Sequence, residues 1–303
     1  MNNLTFSKIL IFIILIVFVV GGISAWRYWQ IERGKPETLE EKALKVCNKI
    51  IEKGEKKNCI AQVLGDKSIC LDIASAQEEE ELEPIVDTEA ECLFALAYQK
   101  GNPNICDEIK TGKKTICYAW LAGVVQDESL CEKLMGGDRK DLCFRKVAFS
   151  KSSMELCNKI ESEDRKHTCK ALIQNNLSLC DAIDNQAEKG TCIAGISQIR
   201  NDISLCDKIG DDIGKISCIG YLVAQSKDKS ICEEKKELYE KISLTKDFSC
   251  FAVTTRDPDL CDKAESACKE KQPELICSDV KYSCLLNIAT DIAGKSFPVG
   301  RVY

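Results

Sequence analysis

The chain has one histidine (His167), six prolines and aromatic residues at only 6% of its 303 positions. No Cys-x-x-Cys pair occurs, and the closest cysteines, Cys261/Cys268 and Cys277/Cys284, are seven apart. That spacing excludes zinc ribbons, ferredoxin-type clusters and thioredoxin-like motifs. Gly-x-Ser-x-Gly, His-Glu-x-x-His, P-loop and Gly-x-Gly-x-x-Gly arrangements are all missing, which removes the familiar hydrolase, metalloprotease and nucleotide-binding signatures. His167, between Lys166 and Thr168 near the start of a repeat helix, reads as an ordinary exposed substitution rather than a catalytic base. A basic stripe is also missing. With Lys8, Arg27, Arg33, Lys35 and Glu32 set aside, the rest carries 38 basic and 47 acidic residues, a net of −9. Nucleic acid is therefore not an expected partner.

What is present is cysteine: twenty, an even number, widely spaced. Such a count reads as a disulfide framework and hence an oxidising compartment. A route there is visible at the N-terminus. From Ile9 to Ala25 no residue is charged, and Trp26, Tyr28 and Trp29 follow at once. This pattern predicts a single-pass signal anchor over residues 9–29 that contacts the lipid bilayer, with 1–8 cytoplasmic and 30–37 a linker. Ser24 and Ala25 behind Ile23 make a weaker cleavage signal, so secretion after cleavage is the second reading. Arg27, Arg33 and Lys35 against Lys8 run counter to the positive-inside rule. The cysteines outweigh them, because twenty exposed thiols would be a standing hazard.

The rest of the chain is one unit repeated nine times. The first cysteines are Cys47, Cys70, Cys106, Cys131, Cys157, Cys180, Cys206, Cys232 and Cys261, with spacings mostly of 23 to 26. A period near 25 sustained this long is the mark of stacked repeats. Four residues before the first cysteine, units two to nine carry Asp66, Asn102, Asp127, Ser153, Asn176, Asp202, Asp228 or Asp257, each a good helix N-cap. Pro103 and Pro258 then take the first helical position. Apolar residues one before and three after the cysteine, such as Leu205 and Ile209, make one helix face. A second helix carries Cys59, Cys92, Cys117, Cys143, Cys169, Cys192, Cys218, Cys250 or Cys284, with an apolar residue four later in most units. Lys56, Lys114, Lys140, Lys166, Lys189, Lys215 and Lys281, three before that cysteine, read as a solvated face.

Within a unit the two cysteines are usually 11 or 12 apart across a turn. In an antiparallel hairpin, residues equally far from the tip face each other, and helices about 8–10 Å apart put their Cβ atoms within bridging reach. That gives Cys47–Cys59, Cys70–Cys92, Cys106–Cys117, Cys131–Cys143, Cys157–Cys169, Cys180–Cys192, Cys206–Cys218 and Cys232–Cys250. Cys261–Cys284 and Cys268–Cys277 share a midpoint and form two rungs of one hairpin over 257–290, read as a C-terminal cap. The competing pairing, a second cysteine to the next unit's first, leaves the two offset by roughly 11 Å along the helices.

Two units are longer. Residues 71–91 insert Glu78, Glu79, Glu80, Glu81 and Glu83, an acidic stretch read as an exposed loop and a possible partner contact. The longer gap between Cys232 and Cys250 reads as a helix extended by a turn or two. Asp211 and Asp212 fall at a hairpin turn as turn and cap residues. Asn176-Leu177-Ser178 is a glycosylation sequon whose asparagine is also a helix cap.

The design resembles the disulfide-stapled α/α-repeat proteins of the Sel1-like kind, secreted solenoids whose helix pairs are each bridged by a cystine. The resemblance is architectural and spans residues 38–290. Those repeats are longer, with closer cysteines and a Gly/Ala signature that this chain lacks. It implies an extracytoplasmic protein-binding scaffold and transfers no residue role.

The expected fold is therefore all-α, an anchor helix followed by an α-solenoid of about nine stapled hairpins over 38–290, with a tail at 291–303. The expected function is a membrane-anchored, non-catalytic scaffold, without cofactor, that binds a protein or envelope component outside the cytoplasm. The alternatives are an envelope enzyme with a site across repeats, and a thiol-rich metal or redox protein facing the cytosol.

Overall fold

The computed structural model describes residues 37–77, 88–243, 248–271 and 277–295. Among them every regular element is helical, and residues from Leu39 onward form one compact unit. The proposed anchor at 9–29, its linker up to residue 36, Glu78–Glu83 and the tail from residue 296 lie outside the described residues. Among the described residues no helix is long and apolar enough to cross a membrane.

Each unit is an arm followed by a turn and, in most units, a longer helix. The arms of units one to nine are Leu39–Cys47, Lys67–Gln77, Pro103–Asp107, Ser129–Glu132, Met154–Cys157, Leu177–Ala182, Ile203–Lys208, Lys229–Glu234 and Asp259–Lys271. Their second helices are Lys53–Leu64, Thr88–Lys100, Lys113–Val125, Gly137–Lys151, Glu163–Gln174, Gln186–Arg200, Asp212–Ser226, Phe248–Thr255 and Ser278–Ile292.

The arms of units three to seven are shorter than the apolar pattern predicts. They hold four to six residues, and those of units six and seven are 3-10 turns. The apolar residue three after the first cysteine is not on a helix face there. Its N–H bonds the cysteine carbonyl (Ile109, Leu134, Ile160, Ile183 and Ile209, 3.1–3.3 Å) and closes the turn. In units six and seven the backbone then leaves in an extended conformation at Ile183 and Ile209, which suits a β-branched residue. All five side chains are buried. The disulfide supplies the anchorage that a one-turn helix lacks on its own. In unit eight the added residues form a separate helix, Lys236–Ile242, after Lys235, rather than one straight extension.

The corner between units has one construction throughout. The last residue of the second helix's cap is left-handed, at Gly65, Gly101, Gln126, Ser152, Asn175, Asn201, Lys227 and Arg256. The next residue is the cap of the following arm. Its side-chain oxygen accepts the N–H two residues on at Asp66, Asn102, Asp127, Asn176, Asp202, Asp228 and Asp257 (2.9–3.1 Å). Ser153 stands at the same place without a side-chain cap bond. The cap residue's own N–H returns to Ala61 and Ala171, two past the second cysteine, in units one and five. In units two, three, four and six it returns to Ala97, Ala122, Ala148 and Ser197, five past it. That difference of about one helical turn is why the spacing to the next cysteine is 11 in some units and 14 in others.

Each arm packs between its own second helix and that of the preceding unit. Unit one obeys the same rule, with unit nine as its predecessor: Leu39–Cys47 lies against Ser278–Ile292, and Lys53–Leu64 also touches that helix. Ala43, Val46, Cys47, Ile50 and Val63 share a core with Cys284, Leu285, Ile288 and Ala289. Outside that core, Lys49 pairs with Asp259 at 2.6 Å. The array is therefore closed. The hairpin read as a C-terminal cap over 257–290 thus meets unit one. The doubly bridged hairpin exists, but its apolar face is covered by unit one, so the two ends that an open stack would leave bare bury each other.

Candidate functional site

Ten disulfides join the two cysteines of each unit, with Cys268–Cys277 as the second rung of unit nine; no cysteine is free. Their Cα atoms are 5.5 to 5.9 Å apart, and the cystines lie buried along the core. Ten bridges belong to an oxidising space outside the reducing cytosol.

The lysines three before the second cysteine are not simply a solvated face. Lys114 meets Asp107 (3.6 Å), Lys140 meets Glu132 (2.9 Å), Lys189 meets Asp181 (3.6 Å) and Lys281 meets Asp262 (2.5 Å). Each acid directly follows the first cysteine, so the ion pair spans the hairpin beside the disulfide. Lys166 and Lys215 pair one turn back on their own helix, with Glu163 and Asp212. The Tyr118 hydroxyl donates to Asp107 in the same rung. Burial and that carboxylate push the phenol up to about 12, while the phenol's donated bond lowers the Asp107 carboxyl.

A second set of charges crosses between units four, five and six. Arg145 is only 7% exposed and donates from Nη1 to Glu188 at 2.6 Å. Asp141, also buried, accepts the N–H groups of Glu161 and Ser162 (2.8 and 3.2 Å) and Arg165 Nη1 (3.3 Å). Arg165 also reaches Asp138 at 2.6 Å. Burial lowers the Arg145 guanidinium from its usual value, opposed chiefly by Glu188. The network staples three successive second helices by hydrogen bonds to charged groups, the stronger kind. Beside it Lys146 lies 3.6 Å over the Trp120 ring, which meets Phe94 edge to face. Sequence reading missed these residues. Their signal was faint: Asp138, Asp141, Arg145 and Arg165 recur at no fixed place across all nine units.

The third cluster sits where unit nine meets unit one. Asn58 Nδ2 donates to the Tyr282 hydroxyl (2.6 Å), and Gln62 donates to Asn58 Oδ1 (2.8 Å), all three buried. Glu55, one turn before Asn58, is raised to about 7, first by burial and then by Asp279, Glu52 and Glu91.

His167 is half-buried rather than exposed, and its Nδ1 is sealed from water without a partner among the described residues. Asp211 caps Gly214 at 2.6 Å. Asn176 turns its side-chain oxygen to the N–H and hydroxyl of Ser178. The identical Asp-x-Ser geometry at 66–68, 202–204 and 228–230 shows that capping alone accounts for the sequon. Among the described residues no group of three or more His, Cys, Asp or Glu is placed to hold a metal. A shallow depression lined by Phe248, Asp262, Lys263, Ser266, Ala267 and Glu270 lies on unit nine's arm; its Asp262 is already paired with Lys281.

The hairpin topology gives the array two edges, one holding the turns inside units and the other the corners between them. The turn edge carries the large apolar residues Ile51 (78% exposed), Met135 (99%) and Ile213 (74%). They stand in units one, four and seven. Lys295 lies on the corner edge.

The structure defines a class: a closed array of disulfide-stapled helical hairpins. No known family model matches the chain, and neither does any curated protein or solved structure.

Proposed function

We propose that the chain is a non-catalytic scaffold outside the cytoplasm that binds a protein or cell-envelope component through its turn edge. The observation that carries this reading is the placing of Ile51, Met135 and Ile213, exposed apolar side chains on every third unit of one edge. Most other large apolar side chains of the array are buried, so these three are the apolar groups that the turn edge offers a partner. The inner charges support the same reading, since Arg145, Arg165, Asp141 and Glu188 bond one another across units rather than converge on a cleft. A retained anchor at 9–29 would tether the array to the envelope. Cleavage of that segment would release the same array in soluble form.

The test is sedimentation with isolated cell envelopes. The array should bind saturably, and the triple variant Ile51→Ser, Met135→Ser, Ile213→Ser should lose most of that binding while keeping its melting temperature. Equal binding by the variant would move the contact elsewhere. Alkylation with and without reduction, read by intact mass on protein from its native source, tests the compartment. About twenty labels appearing only after reduction supports the reading, and labels without reduction overturn it.

A further inference from the structure

Three successive junctions use one side-chain register. In units three to five, four residues before the second cysteine stands a cation that reaches back to the preceding unit. In unit three it is Lys113, on Glu91 at 2.7 Å. In unit four it is Arg139, donating to Thr115 and to the Gly112 carbonyl. In unit five it is Arg165, on Asp138 and Asp141. A cation on the later unit thus meets acceptors on the earlier one.

In unit six the position holds an acid, Glu188, matched by Arg145 and Arg165 of the earlier units, and at the junction that closes the array it holds an acid again. The residue four before Cys59 is Glu55. Asp279 stands five before Cys284, the register of Asp138, and so offers Glu55 what Asp138 offers Arg165. Glu55 is one turn before Asn58 and Asp279 one turn before Tyr282, and Asn58 and Tyr282 are hydrogen-bonded. That register brings the two carboxylates toward each other at the seam, where the Asp279 charge acts on Glu55. Glu52 on the preceding turn and Glu91 on the second helix of unit two add two more negative groups.

Lys57 pairs with Asp72 of unit two's arm, Lys113 with Glu91, Lys281 with Asp262 and Lys49 with Asp259, while Lys53 and Lys56 flank Glu55 on its own helix. The charges that act most on Glu55 come from Asp279 on Ser278–Ile292, from Glu52, and from Glu91 on Thr88–Lys100, and the Tyr282 phenol feels Glu55 in turn; the arms packed on this helix carry Glu40, Glu41, Lys42, Lys45, Lys67 and Asp72.

We propose that the seam between units nine and one is a proton-operated latch, shut while Glu55 is neutral and loosened when Glu55 ionises against Asp279, Glu52 and Glu91. The direction follows from linkage. Glu55 holds its proton more tightly in the closed array than in the opened one, so closure is favoured at low pH. That advantage fades as pH rises from the ordinary glutamate value through about 7, where the folded group titrates.

Hydrogen exchange on the intact, disulfide-bonded chain at pH 5.5 and 8.5, in buffer with EDTA and corrected for intrinsic rates, tests the latch. Protection of segments 53–64 and 278–292 should fall by about tenfold or more at the higher pH, with segment 186–226 as an unchanged control. Glu55→Gln should remove the pH dependence at the seam. Asp279→Asn should shrink it and move it to lower pH, which keeps the test decisive if Glu55→Gln misfolds. Seam protection that is independent of pH, a control segment that changes equally, or a dependence that survives Glu55→Gln would each overturn the proposal.

Discussion

Asn58 and Tyr282 lie 224 positions apart and share a buried hydrogen bond of 2.6 Å, the amide donating to the phenolic oxygen. It joins the first unit to the last. The pair does for closure what Asp141 and Arg165 do for an internal junction, with neutral groups in place of charged ones.

Removing the acceptor tests its weight. Tyr282→Phe leaves the Asn58 amide buried without this partner, which costs roughly 1–3 kcal/mol. The denaturant midpoint of the oxidised protein should fall accordingly. The loss should be local, with exchange rising in segments 53–64 and 278–292 before it rises in units four to six.

Reduction should be far more damaging. Closing a loop of about a dozen residues is worth about 3 kcal/mol in the chain-entropy model, against a net stability of roughly 5–15 kcal/mol for an ordinary domain. One-turn arms such as Ser129–Glu132 and Met154–Cys157 cannot persist without their bridges. Circular dichroism in excess reductant at 25 °C should lose most of its helical signal. A reduced chain that keeps the signal would show that the packing suffices.

The buried pair Arg145–Glu188 separates two explanations of an internal charge. Arg145→Met strands Glu188, whose remaining cation, Arg165, is 4.0 Å away. The expected loss is about 3–5 kcal/mol. The double variant Arg145→Met, Glu188→Met removes both charges and should recover most of it. Thermal melts of the two variants and the parent decide the matter.

Part of the acid limb of the stability profile should come from the corners, the rest from Asp107, Glu128, Asp138, Glu163 and Asp259, whose carboxyls are lowered by their own partners. Asp66, Asp127 and Asp228 are held below the usual carboxylate range, first by the hydroxyls of Ser68, Ser129 and Ser230 and then by their backbone N–H groups. Their folded values lie below the unfolded one, so their contribution is present above about pH 4 and is lost as pH falls through the lowered values. Melting temperature should drop on that side. The triple variant Asp66→Asn, Asp127→Asn, Asp228→Asn keeps the caps and should make the acid limb shallower. The sign is opposite to that of Glu55, whose effect appears on the neutral side.

Much of the unit was legible in the sequence because it is local. A cap at Asp202 acts two residues away, on Ser204, and Cys206 and Cys218 face each other because a short turn places them so. The length of the arms was less legible. Ile183 and Ile209 suit a helix face by spacing, yet they serve as the first extended residues after a turn, since their cystine already fixes the position. The lysine series was read as solvated because one sequence does not reveal that Asp107 or Asp181 stands opposite Lys114 or Lys189 across the hairpin.

The repeat, its caps and its all-helical character are thus set by the sequence alone, through interactions that reach no further than one hairpin. Closure was decided only in the tertiary structure. It depends on the sum of nine small rotations between neighbouring second helices, each set by packing, such as Gly195 against Leu172 and Gly123 against Lys146. No local pattern records that sum. The same holds for the seam, where Glu55 and Asp279 are ordinary surface acids in the sequence and become neighbours only because the last unit returns to the first.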